Sequence, residues 1–437
     1  MIKSIGKNIL IYGALFLGTL ILLLACFIIS AKITQTMIQK NIQSSAKYFQ
    51  QVDLFRQLDK NVPGAKIDNY ADCILFNIIY NVDSSKPLYS TISASYYDNP
   101  EIHTNESFLK SVYEKKEANT SYARYWHGSM VILRPLLLCF DIVKIRIIGA
   151  ITLGILLSIL SLLLIKKKHT SIMVFLWIGL ICIHCWYIPF SIEYTTTFIV
   201  MFLTAILCVG KEQIRDEALW KIFFLGGMIT CFVDFLTTET VTLLVPVALV
   251  LMLRYEEGTL RTFREELIFV VKSGISWASA YILMWAAKWT MASLVLGQNE
   301  LLQSVQYARV RVSGAIPKSS AGRYLGAVLR NLGCLFPFQF AKTFAGVVGI
   351  LIVLTLVLFC VFYLYRSQAR NKPFHFLLLL VGVIPYVRYL ALSNHSYLHY
   401  FFTYRAQLVS VICLSAILYY GMKENQGHKG VNYQWKK

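Results

Sequence analysis

Charge is what this sequence has least of. Only 15% of its 437 residues are Asp, Glu, Lys or Arg, while 57% are hydrophobic. A soluble domain carries about a quarter charged residues. That shortage excludes a water-facing fold of this size. Acid is scarcer still, with 23 Asp and Glu against 42 Lys and Arg and a formal net charge of +19. In a soluble chain such an excess would point to nucleic acid. Here no soluble segment carries a stripe of basic and aromatic residues, so nucleic acid is not expected as a partner. Repeats at a fixed period and low-complexity tracts are lacking, which argues against solenoids and linker-rich assemblies. The short loops contain no phosphate loop or nucleotide motif.

What the chain does have is apolar runs of the roughly 20 residues that cross a hydrocarbon core. Ten are expected as transmembrane helices, near 8–30, 146–165, 171–189, 194–210, 220–236, 240–254, 267–287, 343–364, 374–392 and 404–421. The first is too long for a signal peptide and reads as an uncleaved anchor. The fold class is thus an all-α polytopic membrane protein, with 1–437 forming one integral membrane domain.

Basic residues fall in alternate short loops: Lys166, Lys167 and Lys168, then Lys211, Arg215 and Lys221, then Arg254, Arg261 and Arg264, then Arg366, Arg370 and Lys372. The intervening loops 190–193, 237–239 and 393–403 hold no Lys or Arg. This asymmetry puts both termini in the cytoplasm. Two long loops, 31–145 and 288–342, then lie outside. The first holds 11 of the 23 acidic residues. The second holds Lys288, Arg309, Arg311, Lys318, Arg323, Arg330 and Lys342 against one acid, Glu300. In SMVILRPLLLCFD, Pro135 predicts a short helix lying at the interface.

Candidate chemistry gathers on the outer side. In KIDNYADCILFN, Asp68 and Asp72 are spaced to share one helical face. Like charges there raise one pKa, which suits a general base; a solvated helix face is the plainer reading. Asp72 adjoins the apolar stretch CILFNIIY and is the expected base, with Asp68 in a more solvated setting as its partner. In YARYWHGSMVILRPLL, Arg124, His127 and Arg134 could hold an anionic headgroup, or only anchor the chain at the interface. Asp234 ends the fifth run and, with Glu193 and Glu239, places costly acid at outer helix ends; capping is its alternative role. The last outer turn, RYLALSNHSYLHYFFTYR, contributes Asn394, His395, His399 and Arg405, with four tyrosines suited to a carbohydrate platform. His395 and His399 could bind a metal, but no HExxH glutamate accompanies them. Cys182 and Cys185 flank His184 inside an apolar run and read as buried thiols. Cys73, Cys139 and Cys334 would face outside, with pairing undetermined.

With ARYWHG, VDFLT and NHSYLHYFFTYR in place, the chain resembles the GT-C superfamily of membrane glycosyltransferases. The match is architectural and covers most of the chain; the three motifs look like those of uncharacterised multi-pass proteins of Gram-positive bacteria. The resemblance implies an inverting transfer of sugar from a polyprenyl-phosphate donor to an extracytoplasmic glycan or protein acceptor, at a bacterial plasma membrane. It implies that Asp68 or Asp72 acts at the acceptor, although here Asn69, Tyr70 and Ala71 separate what is usually an adjacent acidic pair. Arg309, Arg311 and Arg323 of the second loop would hold the lipid phosphate. No cofactor is called for, and a divalent metal has no ligand set to support it. A transporter, with polar residues near the midplane, and a non-enzymatic envelope assembly or sensor protein are the rival classes.

Overall fold

The computed structural model describes residues 2–210, 215–314, 320–341, 343–366 and 371–426. Among them the chain is helical, with two isolated bridges, Gln57 to Lys66 and Tyr96 to Thr120, as its only β pairing. Each of the ten apolar runs contains a helix. Among the described residues, six helical segments are long and apolar enough to cross a membrane: Ile9–Ala31, Ile142–Lys166, Ile192–Gly210, Phe263–Leu296, Lys372–Ala391 and Tyr400–Glu424. The apolar helices Thr170–Cys182 and Val241–Glu256 are shorter, with 13 and 16 residues.

Helix burial sorts these elements. Val241–Glu256 is buried nearly all round and forms the centre. Ile9–Ala31 and Ile142–Lys166 have few buried residues, as lipid-facing helices do. Two boundaries differ from the sequence expectation. The run 171–189 stops being α-helical at Cys182; His184 takes a left-handed backbone (φ 53°), and a 3-10 turn, Cys185–Phe190, follows. The seventh run extends to Leu296 and ends at Gly297, whose φ of 65° favours glycine. Lys288 therefore sits on this helix and not in the second loop. It is buried and donates to the Ile92 carbonyl at 2.7 Å. Lys318 and Lys342 lie outside the described residues.

At one end of the bundle, Arg254 pairs with Asp216 and Glu266, each at 2.6 Å, and Arg261 reaches the same acids at 2.8 and 2.9 Å. These basic residues thus join three helix ends. At the other end lies segment 31–145, which folds into short helices. Gln35–Gln50 buries Ile38, Ile42, Ala46 and Phe49. Phe49 meets Phe76 and Phe108 edge-on or tilted, at 5.8 and 6.2 Å, and so joins three of these helices. The short helix expected around Pro135 is present as Met130–Leu136.

Candidate functional site

The first wall of the site is the start of helix Asn69–Tyr80. Asp68 is its N-cap and accepts from the Ala71 amide at 2.9 Å. Its own amide donates to Ser191 Oγ at 3.1 Å. Asp72, one turn on, is 1% exposed and bound on two sides. Arg146 Nη2 donates to it at 2.8 Å, and the Ile192 amide at 3.0 Å. Asp72 therefore caps, from outside, the N-terminus of helix Ile192–Gly210, where free amides favour an anion.

Asp68 is not in the solvated setting expected of it: it is 5% exposed. Burial and the adjacent charge of Asp72 push its carboxyl up to about 7. No ion-pair partner meets it among the described residues. Burial also raises Asp72, but Arg146 opposes that rise with its charge and hydrogen bond. Glu193 stands beside them. It is buried, and its Oε1 has no hydrogen-bond partner among the described residues. A buried carboxylate oxygen left unpaired is costly.

The second wall is the turn Tyr122–His127. His127 has a left-handed backbone (φ 54°). The next residue, Gly128, donates to the Phe232 carbonyl at 2.8 Å, and a Cβ there would lie 2.4 Å from that oxygen. Glycine is thus required by close backbone approach. His127 Nε2 lies 3.1 Å from the Tyr122 carbonyl, which can only accept, so Nε2 carries the proton. Nδ1 is left as a buried acceptor without a hydrogen-bond partner among the described residues. Burial, with Lys288 nearby, pushes His127 down to about 3, so the ring is neutral. Trp126, by contrast, belongs to the core and donates to the Met284 carbonyl.

Arg311 and the last turn make the third wall. Arg311 Nη1 donates to His395 Nδ1 at 2.8 Å and to His399 Nε2 at 3.3 Å, while Nη2 reaches the Tyr125 hydroxyl at 3.4 Å. His395 Nε2 donates in turn to the Leu236 carbonyl at 2.8 Å, which fixes its tautomer. Both rings are held neutral: burial and Arg311 push His399 down to about 4, and burial and Arg388 put His395 well below its usual value. The guanidinium charge of Arg311 consequently meets two imidazoles and a phenol, with no carboxylate at ion-pair distance among the described residues. Asn394 and Ser393 fix it by donating to the Val310 and Val312 carbonyls, at 2.8 and 3.0 Å.

One cavity joins these walls. Asp68, Asp72 and Glu193 line it together with His127, Arg311, His395 and His399. Tyr70, Tyr122, Tyr125, Phe235 and Phe402 supply aromatic surface. The first segment and the last turn, over 320 residues apart in sequence, thus share one pocket.

Other expected residues lie elsewhere. Arg134 is fully buried and gives its three nitrogens to the carbonyls of Ser30, Ile79 and Ile33, so it holds helix ends and not a headgroup. Arg405 is equally buried, donating to the Gly64 and Phe401 carbonyls. Asp234 accepts from Thr197 Oγ1 at 2.8 Å and the Leu236 amide at 2.7 Å, which makes it the cap of the loop that carries Phe235. Arg124 lies between the Tyr122 and Tyr307 rings, at 4.5 and 4.0 Å, and does not line the cavity. Arg309 is exposed, two residues from Arg311 and hence on another helical face. Arg323 donates to Ser393 Oγ at 3.1 Å. Of the four tyrosines of the last turn, Tyr389 and Tyr404 are buried. Cys73, Cys139, Cys182, Cys185 and Cys334 are free thiols; Cys73 and Cys334 are buried, Cys139 is exposed, and Cys182 and Cys185 are half-buried where the sequence suggested full burial.

Arg146 and the Tyr122–Tyr125 pair were not singled out in the sequence. Arg146 had a usable signal, since an arginine inside an apolar helix calls for a partner. Comparison of the chain with protein-family models, curated proteins and solved structures found no match.

Proposed function

We propose that the chain is a membrane glycosyltransferase of GT-C type, with ten spans and the cavity on the extracytoplasmic side. It moves a sugar from a polyprenyl-phosphate donor to an acceptor hydroxyl, with inversion. The observation that carries this reading is the position of Arg311, a cation with no carboxylate at ion-pair distance among the described residues, in the same cavity as Asp68 and Glu193. One wall offers charge to a phosphate; the other offers carboxylates to a hydroxyl. Neutral histidines keep Arg311 available, because protonated ones would repel it.

The base in this reading is Asp68 and not Asp72. Asp72 is engaged by Arg146 and the Ile192 amide. Asp68, near 7, has the proton affinity of a general base at neutral pH. Asp68 takes the acceptor proton as the new C–O bond forms at the sugar's anomeric carbon. The bond to the phosphate oxygen breaks on the opposite face, and Arg311 stabilises the departing charge. Asp72 and Arg146 position Asp68 by fixing the start of its helix.

Polyprenyl-phosphate binding in nanodiscs, followed by native mass spectrometry, tests the anion half of the reading. The wild type should retain the lipid and Arg311→Gln should lose it. Equal retention by both would remove Arg311 from the site.

A further inference from the structure

Two neighbouring aromatic rings, one of them on the cavity wall, are exposed. Phe55 is 43% exposed and Tyr70 is 40% exposed, and they stack at 5.7 Å with 21° between their planes. Tyr70 also lines the cavity, two residues from Asp68. Lys66 lies 5.6 Å from the Phe55 ring and 5.1 Å from that of Phe401. No carboxylate meets Lys66 at ion-pair distance among the described residues.

The rings are held in place by backbone. The Tyr70 amide donates to the Leu54 carbonyl at 3.1 Å, the Ile67 amide to Arg56 at 2.8 Å and the Leu58 amide to Ala65 at 3.1 Å. These three backbone bonds hold segments 54–58 and 65–70 side by side and so present Phe55 and Tyr70 next to each other. A scattered exposed ring needs no explanation, but a fixed pair leading into a polar cavity, beside an ammonium that meets no carboxylate at ion-pair distance among the described residues, does.

We propose that Phe55, Tyr70 and Lys66 form a docking platform for an anionic glycan, which feeds its terminal hydroxyl to Asp68. The inference rests on the sugar-transfer reading and names the acceptor class. Sugar C–H faces cover the aromatic rings, and a carboxylate or phosphate on the glycan pairs with Lys66. Continuity through Tyr70 into the cavity sets the direction of the chain. The tyrosines of the last turn do not make this platform: Tyr389 and Tyr404 are buried, and Tyr397 and Tyr400 are half-buried, whereas Phe55 and Tyr70 are exposed.

Saturation-transfer NMR on the full chain in nanodiscs tests it, with tetragalacturonate as the anionic probe and chitotetraose as the neutral one. The wild type should bind tetragalacturonate more tightly. Phe55→Ala and Tyr70→Ala should each weaken both probes about tenfold, the scale of one lost aromatic contact. Tyr70→Phe should retain binding, and Lys66→Gln should weaken only the anionic probe. Polyprenyl-phosphate retention by the same variants confirms that they are folded. No binding of either probe by the wild type at millimolar concentration, or unchanged binding in both alanine variants, overturns the platform. Oligosaccharide binding by a wild type that retains no polyprenyl phosphate leaves the platform standing and removes the donor reading instead.

Discussion

Arg146 and Asp72 form a buried ion pair at 2.8 Å, 6% and 1% exposed, between residues 74 positions apart. The same carboxylate caps the helix that begins at Ile192. The pair therefore fixes the segment 31–145 against the bundle and sets the position of its neighbour, Asp68. Asp72→Asn keeps the shape but leaves Arg146 buried and uncompensated. Breaking such a pair costs about 3–5 kcal/mol. Thermal unfolding of the purified variant should show this loss, and an unchanged midpoint would contradict the structural role.

Asp68→Asn should behave in the opposite way. Asparagine is as good an N-cap as aspartate, so the helix start is kept. Transfer activity should fall by about a hundred to ten thousand fold, the usual cost of a positioned base. Activity near the wild-type level would move the base elsewhere.

The pH dependence follows from the Asp68 carboxyl, raised from 3.8 to about 7. A raised acid favours its protonated form in the folded state, so the folded chain binds more protons than the unfolded one between those values. Its contribution to stability is full below about 4 and is lost as pH rises to 7. Asp68→Asn removes this penalty and should be more stable than the wild type at pH 8. Activity, which needs the ionised form, should rise through pH 7 in the wild type. A stability difference that does not change between pH 4 and 8 would contradict the assignment.

Two arginines of one helix should differ. Arg311→Gln should lower transfer about a hundred to a thousand fold, the range for a lost charge-stabilising donor. Arg309→Gln, on the exposed face and outside the cavity lining, should lower transfer far less than Arg311→Gln. Matched losses in both would mean that general positive charge, and not the cradle of His395 and His399, is what matters.

Arg134→Met should damage folding and not chemistry. It leaves the carbonyls of Ile33 and Ile79 without their side-chain donor, while the Ser30 carbonyl keeps the Ile33 amide at 3.2 Å. Each unsatisfied buried group costs about 1–3 kcal/mol. Low yield of folded protein is expected, and a well-folded variant with lost donor binding would restore the headgroup role.

Helices were legible in the sequence because long apolar runs leave the backbone few other ways to pair its polar groups. The pairing of segment 31–145 with the last turn was legible as a shared side, since polar residues clustered away from the basic loops. What each polar residue does was not. Arg134 and Arg311 are both arginines near apolar runs; only the fold tells that one meets helix-end carbonyls and the other two imidazoles. Asp72 outranked Asp68 because it adjoins CILFNIIY, yet that burial comes with Arg146, which no local pattern connects to it. Asp234 drew attention by depth, while Glu193, nearer a turn, has the unpaired oxygen. Helix ends also moved where caps decide them: Gly297 ends a helix that hydrophobicity alone would have stopped at Lys288.

Turnover measures transfer from a lipid phosphate most directly. Purified wild type in liposomes is given a panel of synthetic polyprenyl-phosphate hexoses with the anionic tetrasaccharide, and release of polyprenyl phosphate is followed by mass spectrometry. The expected result is release with at least one donor, inverted linkage in the product, and loss of both in Asp68→Asn and Arg311→Gln. No release with any donor, or equal release by the two variants, would contradict it.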